Sequence, residues 1–558
     1  MRVLIPLLPV YNHRLGVGYL TAILRARGHE VVLIDFEHLL HAENQSLSLK
    51  IQEETEVYAD RWSEQIQYLH RPELLFGALF PDDSRLQQSL DNSDWTLIEL
   101  LRPYVHAWAD AIHRMQPELV LFPTLVSNLW IALWTSEWFH RLMPSVPRVF
   151  GGRGITYPEV QELILHAGWA DGLLQGEAEN GIAELVDALA SGSEFSTLLT
   201  SNLVRLQDER VVAAPIGPRV VLDALPFPDF SGLPFPGANF RLYAESGRDF
   251  HDAASVAGSR WCPRHCAYCY ESIYPNNYRL RKVDSVIREI EFQQHELRTV
   301  RVFFCDSTLN VSQRWLGELA EGMARLPILP NVAFAHCEPR QLDRGLLNAL
   351  REAGFEKLNF GIESFDGRTL HRMNRTITVE ETERTVLSAV EAGISVGLNL
   401  VANYPGETAE EFDSSLARAR KFSGLLETAA ATSGASVRFM VSQARVDPHS
   451  ALFTQRERFG VRLSPRSLPV FVPLQHLRPW IERIALNWDD GLPRQQRRQR
   501  FAVARPYLES LSIPGRMTER VLPADHRVPI NIAAVPSALR TLLPANASAA
   551  LRQEEALP

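Results

Sequence analysis

Short apolar runs alternate with segments of helical periodicity over the first 190 residues of the chain. Apolar residues recur at helical spacing between Gly16 and Arg27, and Gly28 ends that helix. A crossover helix between two apolar strands predicts a parallel sheet with right-handed connections. The helix-rich segment 40–115 is predicted to be an insertion between the second and third strands. The four strands of this region are predicted at residues 2–7, 30–35, 118–122 and 147–150.

The same alternation returns from about residue 250, after a segment, 213–240, that contains six prolines. Six strand–helix repeats favour a partial barrel over a closed barrel of eight units. The predicted strands are 253–259, 300–305, 332–337, 357–362, 395–401 and 436–441. The clearest helices between them are predicted at 285–295, 315–325, 344–353 and 379–392. In α/β barrels the chemistry collects at the carboxyl ends of the strands.

These patterns predict an α/β protein with a Rossmann-like parallel sheet, then a partial (β/α)6 barrel, then a mainly helical C-terminal appendage. The last residues carry no core pattern and are expected to be disordered. The predicted boundaries are 1–210 for the first domain, 211–245 for a proline-rich linker, 246–450 for the barrel, 451–540 for a substrate-covering region and 541–558 for the tail.

Composition narrows the classes of function. The chain has 558 residues, 46% of them apolar and 22% charged, with a net charge of −9. This charge gives no electrostatic footprint for nucleic acid, and the short basic run 494–500 is expected to be a solvated helix face. No apolar run reaches the roughly 20 residues of a membrane span, and the N-terminus lacks a signal-peptide layout. We therefore expect a cytoplasmic protein without a nucleic-acid or membrane partner.

Three of the five cysteines, Cys262, Cys266 and Cys269, share one short CxxxCxxC run. An iron–sulfur cluster usually takes four cysteines, so three thiolates leave one iron of a four-iron cluster open to another ligand. The alternative is a structural zinc site with Cys305 or Cys337 as the fourth ligand. Zinc sites usually contain a second CxxC-like pair, which is missing here, and these two cysteines lie in apolar runs. An odd number of clustered cysteines also argues against disulfides and suggests a reducing compartment.

The cysteine run, with Tyr268 directly before its last cysteine, resembles the signature of the radical S-adenosylmethionine (SAM) superfamily. The resemblance implies a [4Fe–4S] cluster on the three cysteines, SAM on the open iron, and a 5′-deoxyadenosyl radical. Gly361-Ile-Glu-Ser364 also matches the family. The implied SAM contacts are Tyr268, Asp306, Glu363, Ser364 and Asn399. The alternatives are that an acidic residue at a strand end caps a helix and that Tyr268 is a packing aromatic.

The loops after the N-terminal strands resemble those of the cobalamin-binding domain in cobalamin-dependent radical SAM enzymes. They contain Tyr11-Asn-His13-Arg-Leu-Gly16, then Ser127-Asn-Leu129, then Gly151-Gly152, and Gly176-Glu-Ala-Glu179 follows. The implied cobalamin contacts are His13, Gly16, Ser127, Leu129, Gly151 and Gly152. Tyr11 stands where the family has aspartate, which leaves His13 as either a cobalt ligand or an ordinary loop residue. The alternative for the whole region is a Rossmann-like domain that binds nothing.

The resemblance implies a cobalamin-dependent radical SAM enzyme, with methyl transfer to an unactivated carbon of a peptide or secondary metabolite as the expected reaction. It also implies an external electron donor of the flavodoxin or ferredoxin type. Relatives that use cobalamin for cyclisation, ring rearrangement or oxidation leave those outcomes open. A non-catalytic corrinoid or iron–sulfur sensor is the alternative outside enzymes.

Overall fold

The computed structural model describes residues 1–9, 14–48, 50–51, 72–81, 92–233, 253–273, 277–297, 299–465 and 475–515. His13 and the predicted tail 541–558 lie outside the described residues.

The N-terminal region contains a seven-stranded sheet in the order β2-β1-β3-β4-β5-β6-β7. Strands β1 to β5 pair in parallel, and β6 and β7 add an antiparallel hairpin at one edge. All four predicted strands are confirmed. The strands are β1 Arg2–Leu7, β2 Glu30–Asp35, β3 Leu119–Thr124, β4 Arg148–Gly152, β5 Gly172–Leu174, β6 Leu203–Gln207 and β7 Arg210–Ala213.

Helices cover both faces of this sheet, and the strands are apolar on both faces for that reason. Successive residues point to opposite faces, so Val3 and Ile5 join one apolar cluster while Leu4 joins the other. Segment 36–114 contributes helices α2, α3 and α4 to one of these clusters. The helices are α1 Leu15–Ala26, α2 Phe36–Glu43, α3 Pro72–Leu79, α4 Asn92–Arg114, α5 Leu129–Leu142, α6 Pro158–His166 and α7 Glu179–Ala190.

The second region is a partial barrel of six parallel strands, as predicted. Its third strand is interrupted at Ala335. The first part, β12, pairs with β11, and the second part, β13, pairs with β14. The barrel strands are β8 Ala253–Val256, β11 Arg301–Phe304, β12 Asn331–Phe334, β13 His336–Cys337, β14 Lys357–Glu363, β15 Ser395–Ala402 and β16 Val437–Gln443. A short antiparallel pair, β9 Ser259–Arg260 and β10 Arg279–Leu280, flanks the cysteine run.

Side-chain caps fix where several barrel helices begin. Ser312, Asp343, Thr378 and Thr408 each accept a hydrogen bond from a backbone N–H in the first turn, and Glu411 completes a capping box with Thr408. The helices are α8 Val283–Leu297, α9 Gln313–Ala324, α10 Arg344–Glu352, α11 Gly367–Arg372, α12 Val379–Glu391 and α13 Ala409–Ser433. These caps define the first residues of the helices that alternate with the barrel strands.

The C-terminal segment includes two short antiparallel strands that the helical prediction missed. Its basic run was predicted to be a solvated face, and this is wrong at Arg497, which is only 2% exposed. The guanidinium of Arg497 pairs with Asp490 at 2.5 Å and lies 4.3 Å from the ring centre of Trp488. The elements are α14 Ala451–Thr454, β17 Arg462–Pro465, α15 Arg478–Ile484, β18 Leu486–Asp489 and α16 Arg494–Ser510.

We searched the described residues for a helix with the length and apolarity needed to cross a bilayer and found none.

Candidate active site between the two sheets

One cavity of about 1110 Å³ lies between the N-terminal sheet and the barrel. Its N-terminal wall comes from the carboxyl ends of β1, β3 and β4, and the opposite wall comes from the cysteine run and the barrel strand ends. The predicted site residues on this cavity are Gly16, Gly151, Gly152, Cys262, Cys266, Tyr268, Cys269, Asp306, Glu363 and Asn399. Residues predicted from two separate regions therefore share one space.

Asp306, at the carboxyl end of the second barrel strand, fixes the start of the cysteine run. Its carboxylate accepts hydrogen bonds from the Gly258 backbone N–H at 2.9 Å and the Ser259 hydroxyl at 2.5 Å. Burial raises the pKa of Asp306 to about 6. The contacts of this residue in the structure are to the loop, and its contact to the SAM amino group stays a prediction.

The middle of the cysteine run is bound by three hydrogen bonds from distant parts of the chain. The Ala267 N–H donates to the Met373 carbonyl at 2.9 Å, and the Asn374 amide donates to the His265 carbonyl at 2.6 Å. The Leu452 N–H donates to the Ala267 carbonyl at 2.9 Å. The segment after Gly-Ile-Glu-Ser and the C-terminal region thus both position the cysteines.

All five cysteines are free thiols. Burial raises the pKa of Cys262 to about 11 and that of Cys269 to about 12, while Arg375 Nη1 lies 3.4 Å from Cys266 Sγ. Thiolates ligate metals, and bound iron would supply the positive charge that these buried sites need. Among the described residues, no three His, Cys, Asp or Glu side chains converge on a point where one metal ion would bind. A four-iron cluster binds each cysteine through a different iron.

Glu363 ends β14 in a strained conformation, with φ of +70° and a shift in the pairing register beside it. Its side chain hydrogen-bonds with Tyr268, and burial raises the pKa of its carboxyl. Arg375 donates to the Gly361 carbonyl at 2.7 Å from the same side. The Tyr268 ring meets the Tyr404 ring edge-on at 6.3 Å between centroids. Two of the predicted SAM contacts therefore touch each other.

Ser364 does not lie on the cavity. It is 2% exposed, and its hydroxyl accepts a hydrogen bond from the Asp366 N–H at 3.0 Å. Asp366 in turn caps α11 by accepting from the Thr369 N–H at 2.9 Å. The Ser364 hydroxyl thus contacts this turn, and its predicted contact to SAM stays a prediction.

Ser127 and Leu129 are also absent from the described cavity wall. Leu129 is fully buried in the apolar core as the first residue of α5. The strand end itself, Thr124 and Leu125, lines the cavity instead. Gly152 is close to this strand end, with φ of +97°, and a Cβ there would lie 2.4 Å from the Thr124 carbonyl oxygen. Glycine at this position therefore lets the end of β4 lie close to the backbone of β3.

Two carboxylates after β5 clamp the cysteine run to the N-terminal region. Glu177 pairs with Arg279 and lies 3.6 Å from Arg260, and Glu179 pairs with Arg260. Arg260 belongs to β9 and precedes Cys262 by two residues. The Gly-Glu-Ala-Glu segment therefore contacts the strand that delivers the first cysteine.

A second set of contacts joins the N-terminal region to the barrel region, and the sequence analysis did not predict it. The Arg153 guanidinium donates to Glu271 Oε1 at 2.6 Å and lies 4.1 Å from the ring centre of Tyr270. Tyr157 donates to Asp447 Oδ2 at 2.9 Å. The only signals in the sequence were positional, because Arg153 directly follows Gly151-Gly152 and Glu271 lies two residues after Cys269.

Residues 256–419 match the sequence profile of the Radical SAM superfamily. This part of the chain is a radical SAM domain, and domains of this superfamily bind a [4Fe–4S] cluster and SAM. An uncharacterized methyltransferase of Pyrococcus horikoshii, PH0819, is 25% identical over 56% of this chain and 66% of its own length. The anaerobic magnesium-protoporphyrin IX monomethyl ester cyclase of Cereibacter sphaeroides is 22% identical over 58% of this chain and 52% of its own length. The chain thus spans between about half and two thirds of these relatives.

Solved structures resemble the fold over nearly the whole chain. The radical SAM methyltransferase TsrM from Kitasatospora setae, solved with cobalamin and a [4Fe–4S] cluster, has a TM-score of 0.59 and 17% identity and covers 96% of this chain and 94% of its own. The cobalamin-dependent radical SAM enzyme OxsB has a TM-score of 0.53 and 11% identity and covers 82% of this chain and 60% of its own. The predicted α/β fold class, with its parallel sheet and radical SAM region, is confirmed.

Proposed function

We propose that this protein is a cobalamin-dependent radical SAM enzyme that transfers a methyl group to an unactivated carbon of a small molecule or peptide. The observation that carries the proposal is the single cavity shared by the sheet edge and the three cysteines. Its volume, about 1110 Å³, exceeds the roughly 300–1,000 Å³ of a usual small-ligand site. A corrinoid on one wall and SAM on the other would face each other there.

The residues present fit both groups. Three thiols with a guanidinium at 3.4 Å from Cys266 Sγ suit a cluster with one open iron. The carboxyl edge of the N-terminal sheet, where Gly151 and Gly152 line the cavity without side chains, suits the close approach of a bulky cofactor. The bound cofactors would supply homolytic SAM cleavage and a transferable methyl group.

Three residues of the chain would perform the positioning. Glu363 and Tyr268 offer a carboxylate and a hydroxyl to the polar groups of SAM, and Asn399, paired with Gly361 in the neighbouring strand, adds an amide. The external electron donor would be of the flavodoxin or ferredoxin type.

Methyl transfer is favoured over cyclisation because PH0819 and TsrM are both named methyltransferases, although a cyclase also stands among the relatives. The cavity accommodates either outcome. The product mass separates them, since methylation adds 14 Da and consumes a second SAM.

The test is anaerobic reconstitution with iron, sulfide and hydroxocobalamin, followed by SAM and a strong reductant. We expect 5′-deoxyadenosine, detected by mass spectrometry, with S-adenosylhomocysteine as the sign of methyl transfer. A Cys266→Ala variant is the control and should yield neither. Wild-type protein that binds no corrinoid and forms no 5′-deoxyadenosine would overturn the proposal in favour of a sensor or structural role.

A further inference from the structure

Glu271 has one carboxylate oxygen, Oε2, that has no hydrogen-bond partner among the described residues. The residue is 6% exposed and lines the cavity. Its Oε1 accepts hydrogen bonds from Arg153 at 2.6 Å and from the Tyr270 hydroxyl at 3.2 Å. Its Oε2 is buried and has no hydrogen-bond partner within the described part of the chain. Leaving a buried acceptor unpaired is costly, so this oxygen is suited to a ligand that donates a hydrogen bond.

The position of Glu271 indicates which ligand would reach it. Its partner Arg153 directly follows Gly151-Gly152, at the sheet edge where the cavity has room for a bulky cofactor. Glu271 itself extends from the cysteine run toward that edge. A ligand at the carboxyl edge of the N-terminal sheet, beside Gly151 and Gly152, would present its periphery to Glu271.

We propose that Glu271 Oε2 binds a side-chain carboxamide N–H of the corrinoid, so that the cysteine run forms part of the corrinoid site. This inference rests on the proposed function, in which a corrinoid occupies the N-terminal wall. The rim of a corrin ring carries primary carboxamides, and each of them donates N–H hydrogen bonds. A carboxylate is a strong acceptor for such a donor. The contact fixes the corrinoid at a set distance from Cys269, which lies two residues before Glu271.

Binding of hydroxocobalamin, followed by its absorption spectrum, tests the contact directly. Glu271→Gln retains an oxygen for Arg153 and replaces Oε2 with an NH2 group that cannot accept. We expect its Kd for hydroxocobalamin to rise about tenfold or more, as for a lost hydrogen bond to a charged group. The matched control is Glu338→Gln, because Glu338 lines the cavity from the third barrel strand and pairs with Arg264 and Arg375. Its corrinoid Kd should remain within twofold of wild type.

Cobalamin monocarboxylic acids, in which one propionamide is hydrolysed, provide the ligand side of a double-mutant cycle. The acid that lacks the relevant donor should bind wild-type protein more weakly than hydroxocobalamin, because two carboxylates would then meet. Glu271→Gln should recover affinity for that one acid, since its NH2 group donates to the new carboxylate.

Three outcomes overturn the inference, and they fall at different steps. Wild-type protein that does not bind hydroxocobalamin removes the proposed function along with the inference. Equal Kd values for wild type and Glu271→Gln leave the proposed function intact and remove only the Glu271 contact. A Glu271→Gln variant with unchanged corrinoid Kd and weakened SAM binding would assign the acceptor to the SAM ammonium group.

Discussion

At the scale of single residues, Glu363 combines backbone strain with a buried polar side chain. Its φ of +70° is rare for a residue with a Cβ, and such strain collects at functional sites. The side chain folds back over Gly361, where a Cβ would lie 2.7 Å from Glu363 Oε1. Gly361 and Glu363 thus form one unit that aims a carboxylate into the cavity.

Two substitutions at Glu363 separate the backbone from the side chain. Both Glu363→Gly and Glu363→Ala lose the contact to Tyr268, but only glycine adopts positive φ without strain. We expect Glu363→Gly to exceed Glu363→Ala in free energy of unfolding by about 1 kcal/mol, measured by urea denaturation of the apo protein. Equal stability would mean that the bulge relaxes when the side chain is removed.

The same residue gives a prediction for the SAM site. Glu363→Ala should retain the iron and sulfide content of wild type, since the described side-chain contacts of Glu363 are to Tyr268 and Arg375 and not to a cysteine. In contrast, 5′-deoxyadenosine formation should fall at least tenfold at fixed SAM (about 1.4 kcal/mol). Iron analysis and mass spectrometry provide the two measurements. Unchanged SAM cleavage would contradict the assignment of Glu363 to SAM.

At the scale of elements, the basic helix α16 packs on the turn after β15 and contacts Glu407 there. The Arg500 guanidinium donates to the Glu407 carbonyl at 3.1 Å, and the Asn403 amide donates to the Arg497 carbonyl at 3.0 Å. The Glu407 carboxylate accepts a hydrogen bond from the Asn403 N–H at 3.0 Å, and burial raises its pKa from 4.5 to about 7. The carboxyl group of Glu407, in the turn beneath α16, therefore changes its protonation state near neutral pH.

The raised pKa of Glu407 determines whether its contribution to the free energy of unfolding rises or falls with pH. Between pH 4.5 and about 7 the folded protein binds more protons at Glu407 than the unfolded chain does. The contribution of this group to the free energy of unfolding is therefore largest below pH 4.5 and is lost as pH rises through 7. We expect Glu407→Gln to flatten the loss of stability across this window, compared by urea denaturation at pH 5 and pH 8. Parallel pH profiles for the two proteins would contradict the raised pKa.

At the scale of the whole molecule, buried ion pairs join the two regions around the cavity. Glu177 and Arg279 are each less than 20% exposed in their side chains. Near the same seam, Tyr19 of α1 donates to Glu289 of α8 at 3.1 Å, and Arg281 pairs with Glu289 at 2.8 Å. These contacts fix the distance between the sheet edge and the cysteines.

A double-mutant cycle with Glu177→Gln and Arg279→Gln measures the coupling energy between these two side chains, which join the two regions. Because the pair is shielded from solvent, we expect a coupling energy of about 1 kcal/mol or more. The control pair is Arg27 and Asp187, which belongs to the N-terminal region alone and is more than 40% exposed. Its coupling should be below about 0.5 kcal/mol. Equal coupling energies in thermal unfolding would indicate that the clamp adds nothing to the junction.

Most of the helices and strands could be predicted from the sequence, because each depends on the pattern of apolar and polar residues within its own segment. Val3, Leu4 and Ile5 are apolar in succession, which indicates a strand buried on both faces. The spacing of the three cysteines likewise indicates an iron–sulfur cluster site. The burial of Arg497 could not be predicted from the sequence. Its charge alone predicts a solvent-exposed side chain, and only the fold places Asp490 and Trp488 around it. Ser364 and Leu129 matched family motifs, yet their local turns direct them away from the cavity.

The sequence by itself determined the order of strands and helices and the identity of the cluster loop, since both depend on residues close together in the chain. The tertiary structure decided which of these residues share a space. Arg153 and Glu271 are 118 positions apart, and Tyr19 and Glu289 are 270 apart. No periodicity encodes such a pairing, because it depends on how two separately folded sheets pack against each other.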